Sequence, residues 1–276
     1  MMEKKRRLRI GIFDSGLGGL DILRFIVRTL PQYDYMYLGD TARAPYGHRS
    51  QETIHMYTKQ AVRFLFRNEC ALVIIACNTA SSEALRKIQQ TYLKGPNPEK
   101  KILGVLIPAA EEATRKTTNQ RIGVIATTAT VASGAFVREL KKLDPDVKVF
   151  QKACPALVPL VEAGKQNTEE MRVALKKYLR PFTGRNIDTL ILGCTHYGIL
   201  EKDIRKIIGP NITIISEATI VPGKLKRYLQ KHSDLEETLS KQSRTHFYST
   251  GHIDNFKLLG NKLFRITMQV EKATLR

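Results

Sequence analysis

Short apolar runs and helically spaced apolar positions take turns along the whole chain. The runs at 8–13, 34–38, 71–77, 102–107, 121–126, 147–151, 187–193, 212–215 and 245–249 read as strands. Between them, apolar residues return three or four positions apart. Leu20, Leu23, Ile26, Val27 and Leu30 mark one helix, which Pro31 ends. Ile54, Tyr57, Ala61, Phe64 and Leu65 mark a second over 51–68, with Ser50 as its N-cap. Similar spacing predicts helices at 80–92, from 108 onward, and at 131–143, 169–179, 200–208, 221–230 and 255–263. The charged stretch 231–244 fits a helix or an exposed loop. Strands alternating with helices argue for an α/β fold with mostly parallel sheets.

Two runs end alike. Ala71-Leu-Val-Ile-Ile-Ala-Cys77 leads into Asn78-Thr79-Ala80, and Ile187-Asp-Thr-Leu-Ile-Leu-Gly193 leads into Cys194-Thr195-His196-Tyr197. Continuous apolar runs fit strands buried on both faces. Ligands of open α/β sheets bind beyond the carboxyl ends of the strands, so both thiols are expected at functional strand tips. A weak internal repeat points the same way. Ile10-Gly-Ile-Phe-Asp14-Ser15 resembles Ile122-Gly-Val-Ile-Ala-Thr127, with Gly11 and Gly123 offset by 112 residues and the two cysteines by 117. Two related halves would then face their cysteines across one cleft. Lys94-Gly95-Pro96-Asn97-Pro98 is the best candidate linker.

Composition narrows the class. With 42% hydrophobic and 26% charged residues in 276, the chain can bury a sizeable core as one or two domains. No apolar stretch is long enough to span a bilayer, and the basic start Met1–Arg7 lacks the apolar segment of a signal peptide. A cytoplasmic location is the default. Cys70, Cys77, Cys154 and Cys194 form no Cys-x-x-Cys pair, which argues against zinc, a redox motif or a disulfide framework; Cys70 and Cys154 read as buried structural thiols. Cys194-x-His196 lacks a second metal-ligand pair, so no metal is expected. The net charge of +19 is spread over helix faces without aromatic interleaving. That favours attraction of acidic small molecules over nucleic acid as the main partner.

Two similar acids on opposite sides of one cleft suit inversion of a stereocentre through a carbanion. One takes a proton from one face and the other returns a proton to the opposite face. A thiol, near pKa 8.5 when free, needs only a modest shift for this role. His196 when protonated would stabilise a thiolate at Cys194. Asp14, placed beside Cys77, would raise a thiol's pKa by its charge and so would act as a proton relay.

Asp14-Ser15-Gly16, Pro45-Tyr46-Gly47, Cys77-Asn78-Thr79 and Gly193-Cys194-Thr195-His196-Tyr197 together resemble the glutamate racemases, in the family's order and spacing, from about Ile10 to Leu263. Ala129–Gly134 and Val158–Glu162 are also similar to the family. The resemblance implies a cofactor-independent enzyme that supplies D-glutamate for peptidoglycan. It implies Cys77 and Cys194 as catalytic acid and base, assisted by Asp14, Glu162 and His196. It implies substrate binding by Asp14, Ser15, Tyr46, Gly47, Asn78, Thr79, Thr195 and His196. It further implies two pseudo-symmetric α/β domains, 1–98 with 212–276 and 99–211, and a site in the cleft between them. His196, where related aspartate racemases often carry Glu, favours glutamate. A homodimer without nucleic-acid or membrane partners is expected. The competing possibility is a basic binding protein on the same fold, which would not need both thiols.

Three stretches depart from the family. Gly198 replaces the usual Pro and is expected to loosen the turn after His196. Ser216-Glu217-Ala218-Thr219 only partly matches a segment that commonly carries Asp-Ser and a later Glu. The stretch 265–276 is hard to align. The short segment before the first strand is expected to hold no activator.

Overall fold

In the computed structural model, residues 8–93 and 99–276 are described. The expected linker at 94–98 and the segment before the first strand lie outside the described residues.

Ten strands occur among the described residues: β1 Arg9–Asp14, β2 Tyr35–Gly39, β3 Cys70–Ile75, β4 Lys101–Gly104, β5 Arg121–Ala126, β6 Lys148–Ala153, β7 Thr189–Gly193, β8 Thr213–Ile215, β9 Thr245–Ser249 and β10 Val270–Lys272. They form two sheets, ordered β10-β9-β2-β1-β3-β4 and β6-β5-β7-β8. Every pairing is parallel. β2, β3 and β7 are buried along their whole length, which explains their unbroken apolar sequence. The polar edge strand β6, Lys148-Val-Phe-Gln-Lys-Ala153, is only half-buried.

The internal repeat is visible in the strand order. β2-β1-β3-β4 in one sheet corresponds to β6-β5-β7-β8 in the other, with the repeat strands β1 and β5 in the same place. Cys77 lies just past β3, and Cys194 just past its counterpart β7.

The boundaries expected at 98/99 and 211/212 do not match the sheets. They would assign β4 to the second unit and β8 to the first. Instead β4 pairs with β3, Ile102 opposite Val73, and β8 pairs with β7, Ile214 opposite Leu190. Each is the last strand of its own β-α-β series, placed by distant backbone partners. The chain changes sheets after β4 and after β8. The helices Leu106–Lys116 and Glu217–Lys231, which follow those strands, pack against each other.

Most helices follow the expected spacing. Ser50 accepts a hydrogen bond from Thr53 N at 3.3 Å and caps Gln51–Arg67. Two predicted helices are broken. The one over 80–92 is divided into Asn78–Glu83, Leu85–Ile88 and a π-turn Gln89–Leu93. The one over 131–143 is cut at Gly134, whose φ of +62° suits a residue without a Cβ. The hard-to-align C-terminal stretch supplies β10, which extends the larger sheet beside β9. The stretch 231–244 holds a short helix, Ser233–Glu236, and then loop. No helix among the described residues is long and apolar enough to cross a membrane.

Candidate active site

Cys77 and Cys194 line one cleft at the carboxyl ends of the two sheets. Ser15, Tyr46, Gly47, Asn78, Thr79, Thr195 and His196 line it with them. Asp14 and Glu162 stand behind this lining. Asp14 is fully buried at the end of β1, and Glu162 closes the helix Leu157–Glu162.

Cys77 has extended backbone and caps the helix Asn78–Glu83, its Sγ accepting from Ala80 N at 3.5 Å. Ser15 Oγ lies 3.2 Å from the same sulfur. The group that touches Cys77 is therefore Ser15; Asp14 acts on it through charge. Burial pushes the Cys77 thiol up to about 11, and the Asp14 charge adds to this. Cys194 is also driven well upward, chiefly by burial, although His196 Nδ1 lies 3.9 Å from its Sγ. Both shifts run opposite to the modest lowering that the proton-transfer role requires, so in the protein alone both groups are held as thiols.

His196 is set up to oppose that burial. Its Nε2 meets Glu162 Oε1 at 3.1 Å. Burial disfavours the imidazolium, but the Glu162 hydrogen bond and the charges of Glu162 and Asp14 outweigh it, so the pKa is raised. Asp14 accepts from Gly16 N at 2.8 Å and from Thr195 Oγ1 at 3.2 Å, and so ties the tip of β1 to the tip of β7. Its pKa is raised by burial, which His196 and these hydrogen bonds only partly offset.

A cation entering the cleft would favour a thiolate by charge. Without it, alkylation of Cys77 by iodoacetamide is expected to be slow at pH 7. Its rate should grow about tenfold per pH unit towards pH 10, because only the thiolate attacks. Mass-spectrometric mapping of the labelled cysteine would check this. A rate that levels off below pH 8 would show a thiolate already stabilised.

The expected binding residues divide by chemistry. Thr79 and Thr195 place hydroxyls at the cleft, and Asn78 places an amide whose Oδ1 and Nδ2 have no partner. Tyr46 presents its ring and backbone, since its hydroxyl donates to Asp40 Oδ2. Gly47 permits close approach of the two units: a Cβ there would sit 2.9 Å from Thr127 Cβ.

Thr127 also lines the cleft, and its Oγ1 lies 2.9 Å from Thr79 Oγ1. Sequence reasoning passed over it, although a signal was present. In the internal repeat Thr127 occupies the place of Ser15. A small hydroxyl residue, Ser15 in one half and Thr127 in the other, thus stands next to each repeat strand. Gly198 has a local reason too: a Cβ there would lie 3.0 Å from the buried Asp21 Oδ2, and the segment still forms the turn Thr195–Leu200. No group of three or more His, Cys, Asp or Glu able to hold a metal occurs among the described residues.

The chain is similar to known proteins over most of its length. The model of the Asp/Glu/hydantoin racemase family matches residues 10–221. A glutamate racemase of Chlorobaculum parvum is 44% identical over 229 residues, 83% of this chain and 82% of that protein. The crystal structure of a glutamate racemase isoform from Bacillus anthracis is similar at a TM-score of 0.89 and 34% identity, covering 98% of both chains. A glutamate racemase from Francisella tularensis, solved in complex with D-glutamate, matches with a TM-score of 0.87 and 31% identity over 97% of this chain and 98% of that one.

Proposed function

The chain belongs to the Asp/Glu/hydantoin racemase family, and we infer that it interconverts L- and D-glutamate by two-thiol proton transfer, supplying D-glutamate for peptidoglycan. The observation that carries the mechanism is the placement of Cys77 and Cys194. They stand at equivalent strand ends of two related sheets and line one cleft.

In this reaction one cysteine, as thiolate, takes the Cα proton from one face of bound glutamate. The electron pair left on Cα is delocalised into the adjacent carboxylate, and the centre becomes planar. The other cysteine, as thiol, delivers its proton to the opposite face. The bond broken is Cα–H and the bond formed is Cα–H on the other side, so no oxidant, reductant or leaving group is involved. The enzyme ends with the proton on the other sulfur and is ready for the reverse direction.

The surrounding groups have matching duties. Asn78, Thr79 and Ser15 supply side-chain donors for the two carboxylates, the Thr195 hydroxyl being committed to Asp14, with Tyr46 and Gly47 forming the wall. His196, held by Glu162, supports the thiolate at Cys194. Asp14 fixes Thr195 and contributes to the charge on His196. A cytoplasmic homodimer belongs to the same proposal.

Wash-in of deuterium at Cα of L-glutamate in D2O, without added cofactor, tests the function. Exchange with conversion to D-glutamate is expected. Exchange with aspartate and none with glutamate would retain the mechanism and overturn the substrate. No exchange with either would overturn the proposal.

A further inference from the structure

Behind the cleft lies a carboxyl group for which the mechanism has no use. Glu217 opens the helix Glu217–Lys231, is 2% exposed, and its Oε1 meets no hydrogen-bond partner. Asn78, also 2% exposed, leaves both Oδ1 and Nδ2 unpartnered while lining the cleft beside Cys77. The two side chains are close enough for Asn78 to act on the Glu217 carboxyl, in the sense of an amide N–H that favours the ionised form, although no atom pair reaches good hydrogen-bond geometry; a half-turn of the amide exchanges its donor and acceptor ends. Two buried polar groups left this way are costly, and each has the complement the other lacks.

We propose that Glu217 is a positioning residue for Asn78: as a neutral acid it donates to Asn78 Oδ1 and so aims Asn78 Nδ2 into the cleft, at a substrate carboxylate. The inference rests on the glutamate reading of the site and adds a specificity device to it. An amide has one acceptor and one donor end, and a neutral carboxyl has one O–H. Joining O–H to Oδ1 leaves the donor end for an anion. An ionised Glu217 can only accept, so it would draw Nδ2 towards itself and turn Oδ1, an acceptor, towards the substrate carboxylate. The protonation of one buried side chain therefore decides which end of Asn78 the substrate meets.

The surroundings favour the neutral form at neutral pH. Burial lifts the Glu217 carboxyl to about 8, and the Asp14 charge adds to this while Asn78 opposes it. Asp14 comes from β1, and Cys194, after β7, is within range of the Glu217 charge. On the helices packed alongside, Asp21 is paired with Arg24 at 2.6 Å and Glu111 with Lys224. In the adjoining turn Thr195–Leu200, His196 is held by Glu162. None of the ion pairs described for these groups brings a cation to Glu217. The segment is also one where the sequence departs from its family, at Ser216-Glu217-Ala218-Thr219.

The test is the pH dependence of KM and kcat for L-glutamate between pH 6.5 and 9.5 in the wild type, Glu217→Gln and Glu217→Ala. Gln carries a permanent N–H donor in the place of the acid's O–H. Wild-type KM is expected to rise about tenfold above pH 8, with kcat changing less, the effect of one mispaired hydrogen bond to a charged group. Glu217→Gln should abolish that rise, and Glu217→Ala should raise KM about tenfold already at pH 7. Ionisation of the substrate amine is common to all three and cancels in the comparison. An active wild type whose rising KM is copied by Glu217→Gln would overturn this inference alone. So would a Glu217→Ala enzyme with wild-type KM at pH 7. If Glu217→Ala fails to fold, the profile of Glu217→Gln decides. A wild type that turns over no glutamate at any pH would remove the glutamate reading and this inference together.

Discussion

Cys77→Ser and Cys194→Ser should each lower racemisation of glutamate by about three orders of magnitude, the scale of a lost general acid or base. Serine has nearly the shape of cysteine but is a far weaker acid. Both sites are buried and make few contacts through sulfur, so the fold should survive. Cys77 Sγ would lose only its contacts with Ser15 Oγ and Ala80 N. Cys194 Sγ would lose its long approach to His196 Nδ1 at 3.9 Å. Each variant retains one thiol facing one side of the substrate. That thiol can still remove and return a proton on its own side. In D2O each variant should therefore wash deuterium into one enantiomer faster than it inverts it, and the two variants should prefer opposite enantiomers. Circular dichroism of the product and mass spectrometry of Cα deuterium measure the two processes separately. A serine variant that inverts both enantiomers at wild-type rate would remove that cysteine from proton transfer.

The electrostatics explain why such a pair needs the surrounding charges. Burial alone raises both thiols, and Asp14 raises Cys77 further. A thiolate can be populated only when a positive charge enters or is already there. His196 is a resident candidate at the cleft, and Glu162 lies behind it to favour the imidazolium. The substrate's ammonium is the other. On the proposed mechanism, proton transfer is in this way tied to an occupied site, which would spare the thiols from reaction with solvent-borne electrophiles.

Much of this was legible in the sequence because it is local. The unbroken apolar run of β3 signals burial on both faces, and Cys77 follows at a fixed distance from it. β9 falls at the residues its pattern predicted, 245–249. What escaped depends on partners far away in the chain. Lys101–Gly104 follows the expected linker and Thr213–Ile215 follows the helix-breaking Gly209-Pro210, but which sheet each joins is set by hydrogen bonds to β3 and β7. Val158-Pro-Leu-Val-Glu162 carries a proline within a short helix, so its spacing did not announce the helix that holds Glu162. Glu217 stood out in the sequence only as part of a stretch that departs from the family, ahead of a helix expected from 221; the helix in fact starts at Glu217 and its packing makes that residue a buried acid. Tyr46 was expected to bind substrate, but its hydroxyl donates to Asp40, itself fully buried, a partner that the local sequence does not announce.

Gly18→Ala is the second change expected to be severe, for a steric reason at the junction of the two units. Gly18 precedes the helix Gly19–Thr29, on the first unit. A Cβ built there would lie 2.2 Å from Thr195 Oγ1, 2.8 Å from Thr195 Cβ and 2.7 Å from His196 Nδ1, all on the second unit. These separations are far inside van der Waals contact, and the groups they meet are buried and cannot swing into solvent. Thr195 and His196 must move away together. That breaks the 3.2 Å hydrogen bond from Thr195 to Asp14 and disturbs the seat of His196 on Glu162. A displacement of this size at a reacting centre costs about a hundredfold in rate. The loss in kcat/KM should therefore be about a hundredfold or more, with helix content retained and a lowered Tm. Gly223→Ala is the control. Its Cβ would meet only Arg227 Nη1 at 4.0 Å, on the face of a helix where alanine is favoured. There the expected effect is a gain of about 0.5–1 kcal/mol in stability and unchanged kcat/KM. Full activity in Gly18→Ala would mean that the second unit can retreat without disturbing the chemistry, and that the close approach of β1 and β7 is not what sets the spacing of the two thiols.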